Sequence, residues 1–170
     1  MHEDGKLFEM LLLESMQAGL AWITILRKRE AYRAAFDGFD PVKIARYDEA
    51  KVAELLGNEG IVRNRLKIHA AIANAQAFLA VQEQYGSFDK FLWGYVDYQP
   101  VIGHPETIED IPATTALSDR ISKDLKKLGF KFLGSTTLYA FLQATGVVND
   151  HLATCFVREA SQTGAECAPE

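Results

Sequence analysis

The chain has 170 residues, 48% of them hydrophobic, which is enough to bury one sizeable core and predicts a single domain. No apolar run approaches a bilayer span, MHEDGKLFEM has no signal-peptide pattern, and two cysteines (155 and 167) make no disulfide framework, so the expectation is a cytoplasmic protein with no membrane partner. The formal charge of −5 counts against indiscriminate duplex binding, but the charges are segregated: acidic residues crowd 48–59 and 106–110, basic ones 27–29, 63–67 and 123–131.

Taken in order, the elements are helical. Asp4 is placed to cap a helix from Lys6 to Ala18, with Leu7, Met10, Leu11 and Glu14 at helical spacing and Gly19 breaking it. A second helix carries Trp22, Ile23, Ile25 and Leu26 and continues through Tyr32, Ala35 and Phe36 to Gly38. Asp40-Pro41 predicts a cap and first turn for a short helix through Ile44. Residues 47–56 follow as an amphipathic helix. A long one spans 63–85, with Leu66, Ala70, Ala73, Ala77 and Val81 as its apolar stripe. Ser87 caps a further helix through Tyr95. Residues 99–115, with three prolines, read as the one long connection. No segment sustains strand alternation, so the fold class is all-α.

Residues 118–146 predict two helices joined by a tight hairpin. Leu117, Ile121, Leu125 and Leu128 line the first, which Gly129 stops. Gly134 opens the second, whose apolar face is Leu138, Phe141, Leu142 and Thr145. A glycine-led helix start offers free N–H groups to an anion, and Ser135 and Thr136 stand there with Lys131 and other lysines nearby. A DNA phosphate fits; so does a plain helical pair with a solvated lysine face. The tail from 156 to 170 is polar and is expected to be disordered.

Several residues carry potential chemistry. Glu14 interrupts the apolar LLLESMQAG, so its carboxylate either faces water or lines a pocket. Trp22 is a core residue or an aromatic pocket wall, and Leu20 a buried loop leucine or an exposed wedge. His151 and Cys155 stand four apart, a spacing suited to two ligands on one metal or to a capping histidine beside a buried thiol.

The block GFKFLGSTTLYAFLQATGVVNDH resembles the helix–hairpin–helix region of the 3-methyladenine DNA glycosylase I family. KLFEMLLLESMQAGLAWITILRKREAYRAAFDGFDPVKIA is similar to that family's first half, and GIVRNRLKIHAAIANAQAF and DIPATTALSDRISKDLKKLGFKF to its middle, so the resemblance runs from about Lys6 to Cys155. It implies a helix–hairpin–helix glycosylase fold of two helical lobes around a base pocket, occupying residues 1–155. The implied activity is that of a monomeric, monofunctional N-glycosylase of base excision repair. It would excise 3-methyladenine from double-stranded DNA containing alkylated bases and leave an abasic site.

On this resemblance Glu14 is the catalytic and base-binding acceptor at the pocket floor, and Trp22 a pocket wall. Gln17, Gly19 and Leu20 would fill the gap left by the extruded nucleotide, and Lys131, Gly134, Ser135 and Thr136 would hold phosphates. The usual Gly-hydrophobic-Gly of such hairpins is Phe132-Leu133-Gly134 here, a feature the family shares. Asp150 is the nearest candidate for the aspartate used by other helix–hairpin–helix glycosylases, a role the resemblance does not imply. It does imply His151 and Cys155 as half of a structural zinc site. The family's other two ligands and further pocket aromatics come from an N-terminal stretch with no counterpart ahead of Lys6; His2 and Cys167 are the only stand-ins, in no matching motif. A catalytically impaired helix–hairpin–helix DNA-binding protein is therefore the alternative reading.

Overall fold

The computed structural model describes residues 1–152, 154, 155 and 158. The anticipated tail and Cys167 lie outside the described residues, apart from Arg158.

Helix α1 (Asp4–Gln17) runs through the centre. Residues 11 to 16 are all buried, and so are Leu7, Phe8 and Glu9. It packs against α6 (Arg65–Tyr85), α7 (Phe88–Trp93), α9 (Ser135–Thr145) and α2 (Trp22–Arg27). The predicted second helix is broken at Lys28, whose φ of −99° and ψ of 0° separate α2 from α3 (Arg29–Ala35). The Lys28 ammonium is held on the carbonyls of Glu59 and Gly60, at 3.0 and 3.2 Å, so tertiary contacts fix the residue at the break. After a 3₁₀ turn (Asp37–Phe39), Asp40 caps α4 (Pro41–Ile44) as its sequence predicts, accepting from the N–H of Val42 at 2.9 Å. Asp48 caps α5 (Glu49–Gly57) in the same way.

The connection at 99–115 is more structured than its prolines suggest. It contains β1 (Val101–Ile102), paired in parallel with β2 (Val148–Asn149), and a 3₁₀ turn (Ile108–Asp110). Two-residue strands show no alternation, so periodicity could not announce them. α8 (Ala116–Lys127) and α9 pack together as predicted, with Gly129 and Gly146 left-handed at their ends (φ +99° and +80°). Every helix from α1 to α9 contributes to one apolar cluster, from Leu7 and Ile25 through Phe78 and Phe88 to Leu138. No helix among the described residues is long and apolar enough to cross a membrane.

Asp4 does not cap α1, whose N-cap position is Glu3. It is the first residue of α1, and its carboxylate crosses to the start of α7, accepting from the N–H groups of Phe88 (2.9 Å) and Asp89 (2.8 Å) and from the Gln82 amide (2.6 Å). An anion at a helix start satisfies otherwise orphaned donors. Asp4→Ala is expected to cost about 1–2 kcal/mol, the range for a lost cap, read as a lower midpoint in urea at unchanged slope.

Candidate functional site

A helix buried on all sides must solve each of its polar groups. α1 carries three in its buried face. Glu9 accepts from Arg29 Nε at 2.7 Å and Arg33 Nη2 at 2.8 Å, and Ser15 donates to the Leu12 carbonyl at 2.7 Å. Glu14, 3% exposed, is different: its Oε2 has no hydrogen-bond partner, alone among buried side-chain polar atoms of the described residues. Such an atom carries its full desolvation cost unless a ligand completes it. Burial pushes the Glu14 carboxyl up to about 7, because the charged form is starved of solvation. Of the two readings of Glu14 from sequence, water-facing or pocket-lining, solvation is excluded.

Four residues later the chain turns. Leu20 N–H donates to the Gln17 carbonyl at 2.6 Å, with Ala18 at φ −41°, ψ 115° and Gly19 at φ +78°. This is the type II geometry, in which the third residue needs a positive φ and so favours glycine. The turn leaves Leu20 exposed and brings the chain to Trp22, the first residue of α2, which is partly buried against the core. Glu14, Gln17, Gly19, Leu20 and Trp22 therefore sit on one helix–turn–helix junction. The other apolar residues of α2 divide: Ile25 is buried, whereas Ile23 and Leu26 are exposed.

The second group forms where the chain links α8 to α9. Ser122 Oγ donates to the Leu133 carbonyl, and the Ser118 and Ser135 hydroxyls are 2.8 Å apart, so hydroxyl contacts stitch the connection. Gly134 is the N-cap of α9, with no side-chain cap and open space where a Cβ would stand. The N–H groups of Ser135 and Thr136 follow at the positive end of the helix. Phe132 occupies a left-handed φ of +56° and is exposed; a non-glycine residue there carries roughly 1–2 kcal/mol of strain.

Sequence reasoning missed two residues that fix both groups. Lys67 and Asn74 lie on α6, outside its predicted apolar stripe, yet they are 6% and 0% exposed, while Leu66 of that stripe is 70% exposed. Lys67 Nζ donates to the carbonyls of Met16 (2.6 Å) and Ala18 (2.7 Å). Asn74 accepts from Lys131 N–H (2.7 Å) and donates to the Lys131 carbonyl (3.1 Å). Their signal in the sequence was only their seven-residue spacing, which returns to the same helical face.

His151 and Cys155 are brought together, Nδ1 to Sγ at 3.6 Å. No third donor joins them: among the described residues no group of three or more His, Cys, Asp or Glu could hold a metal. His2 is instead stacked on Trp93 and bonded to Asp89 at 2.8 Å. Two donors do not make a closed zinc site. Asp150 accepts from the Tyr139 hydroxyl and lies against Gly103, where a Cβ would collide with its Oδ1.

A helical protein with an unpaired buried carboxylate beside an exposed apolar turn, and an open helix N-terminus on a second element, has the parts of a DNA-base-excising enzyme. The comparisons with known proteins agree. Residues 1–159 match the methyladenine glycosylase family, and the chain belongs to it. It is 51% identical over 153 residues to DNA-3-methyladenine glycosylase 1 of Escherichia coli, covering 90% of this chain and 82% of that one. It is 45% identical to the DNA-3-methyladenine glycosylase of Haemophilus influenzae, covering 90% and 83%. The solved structure of the Staphylococcus aureus 3-methyladenine DNA glycosylase I, a study of 3-methyladenine recognition, superposes with a TM-score of 0.90 at 40% identity, over 93% of this chain and 84% of that one.

The Glu14 shift has a sign. The unfolded carboxyl ionises near 4.5 and the folded one near 7, so between them the folded chain holds the extra proton. Stability should therefore fall as pH rises from about 4.5 to 7, by up to about 1.4 kcal/mol per pH unit. Glu14→Gln is expected to flatten that slope and to melt above the wild type at pH 8, with little difference at pH 4.5. Thermal denaturation across this range checks it.

Proposed function

We propose that this chain is a monofunctional DNA N-glycosylase that hydrolyses the N-glycosidic bond of 3-methyladenine in alkylated duplex DNA, leaving an abasic site. The observation that carries the reading is the buried, unpartnered carboxylate of Glu14. An acceptor-only group accepts from the exocyclic amine of adenine, and a base bearing a formal positive charge supplies the counter-charge that burial denies to Glu14. Binding of such a base draws Glu14 into its ionised form. Neutral adenine makes the same hydrogen bond without that charge, and the cost of the buried anion then counts against it. Selectivity follows from a penalty already built into the buried carboxylate.

The remaining parts support the same reaction. Trp22 offers an aromatic face to a cationic ring. Leu20, exposed on its glycine turn, is placed to enter the base stack while the nucleotide is out. Residues 118–146 serve as a helix–hairpin–helix in which Gly134, Ser135, Thr136 and Lys131 receive phosphate oxygens. In the chemical step the bond from C1′ to the base breaks and its electron pair stays with the base, which leaves neutral. Water adds to C1′ and loses a proton to solvent. The cationic base is already a good leaving group, so catalysis consists of extrusion and of stabilising positive charge near Glu14.

Release of free 3-methyladenine from methylated duplex DNA tests this. Wild type is expected to release it, and Glu14→Gln to do so at least about tenfold more slowly while remaining folded. Equal rates in the two would remove Glu14 from the mechanism. No release by folded wild type that still binds duplex would mean a binding protein.

Zinc at His151 and Cys155 is a separate proposal, supported by their 3.6 Å approach and needing donors beyond the described residues. It predicts about one zinc per chain by elemental analysis, lost in Cys155→Ser. No step of the reaction is routed through it.

A further inference from the structure

The two DNA-facing elements are far apart in sequence, yet one helix holds both. Lys67 and Asn74 lie seven residues apart on α6, two turns along one face, which places their attachment points about 10 Å apart along the axis. Lys67 grips the carbonyls of Met16 and Ala18, which close α1 and begin the turn that exposes Leu20. Asn74 grips both backbone polar groups of Lys131, immediately before the left-handed Phe132. Beside the grips, Leu66, His69, Ala70 and Ala73 of α6 form, with Lys131 and Phe132, an almost wholly apolar cleft of about 440 Å³.

Neither grip is a casual contact. A lysine with 6% exposure holds its charge only if fixed dipoles replace water, and here the negative end of α1 supplies them. Asn74 has no exposure and uses both its amide nitrogen and its carbonyl oxygen on one residue of the hairpin. An apolar side chain of similar size at either position would fill the same space without these hydrogen bonds. It would not fix the register of the turn or the hairpin.

We propose that α6 is a spacer that sets the distance between the base-extruding turn and the phosphate-holding hairpin, with Lys67 and Asn74 as positioning residues for excision. The inference rests on the glycosylase reading above. It assigns them no contact with the reacting atoms. Lys67 would determine how well Leu20 and the end of α1 meet an extruded nucleotide. Asn74 would determine how well the hairpin meets the backbone a fixed span away.

Three readouts separate positioning from plain stability: single-turnover release of 3-methyladenine from methylated duplex, affinity for the same duplex, and affinity for free 3-methyladenine. Lys67→Met is expected to slow release about tenfold or more, in line with the cost of small misplacements, while free-base affinity stays within about twofold. Lys67→Arg, which keeps donors for both carbonyls, is expected to recover most of the rate. Asn74→Leu is expected to weaken duplex affinity severalfold, again with free-base affinity unchanged.

Wild-type release by Lys67→Met, or loss of free-base affinity in step with release, overturns the role of Lys67. Unchanged duplex affinity in Asn74→Leu overturns the spacer, and decides the matter by itself should Lys67→Met not fold. Failure of the underlying reading is a different result: wild type that releases no 3-methyladenine and binds none.

Discussion

The constraint on which the structure depends is the burial of α1 from Leu7 to Met16, where only Met10 keeps partial exposure. A helix in that position must be apolar or must bring partners for each polar group. Glu9 draws two arginines from α3 and its N-terminal edge, and Ser15 folds back on its own helix. Glu14 has neither kind of relief at Oε2. The rest of the core packs well enough to tolerate that exception. On the proposed reading that exception is the base site: local instability supported by a large apolar cluster is how folded proteins keep a reactive environment.

The same burial fixes what surrounds Glu14. Because α1 is held by α6, α7 and α9, its C-terminal end has little freedom, and the glycine turn after it projects Leu20 in one direction. Asp4 ties the other end of α1 to the start of α7. The hairpin between α8 and α9 is likewise over-determined, by serine hydroxyls on one side and Asn74 on the other. That is what allows a phenylalanine to stand at a positive φ at its tip. Strain there is affordable because the flanking residues are pinned.

Electrostatically, a net charge of −5 argues against indiscriminate DNA binding, and the family to which the chain belongs nonetheless comprises glycosylases. The two facts are compatible if affinity comes from backbone N–H groups and from local lysines rather than from overall charge. On the proposed reading, the Glu14 carboxylate and the open N–H groups at the start of α9 suit different parts of one substrate: a cationic base and an anionic backbone. Each element would repel the other's target.

The sequence by itself determined the helical class, most helix boundaries, the capping role of Asp40, the turn at Gly19 and the hairpin limits at Gly129 and Gly146. These are local properties, set by backbone preference and by the spacing of apolar side chains. It also singled out Glu14, since a lone carboxylate in an apolar run is visible as an interruption. It could not say that Glu14 is unpartnered, because partners arrive from other elements. The break at Lys28, the capping of α7 by Asp4, and the pairing of β1 with β2 were hidden for the same reason. Lys67 and Asn74 were hidden most completely. A lysine or asparagine on a helix is read as solvent-facing, and only the approach of distant carbonyls and amides turns such a residue inward. The helices were written locally; the site was decided by what each buried polar group found, or failed to find, across the core.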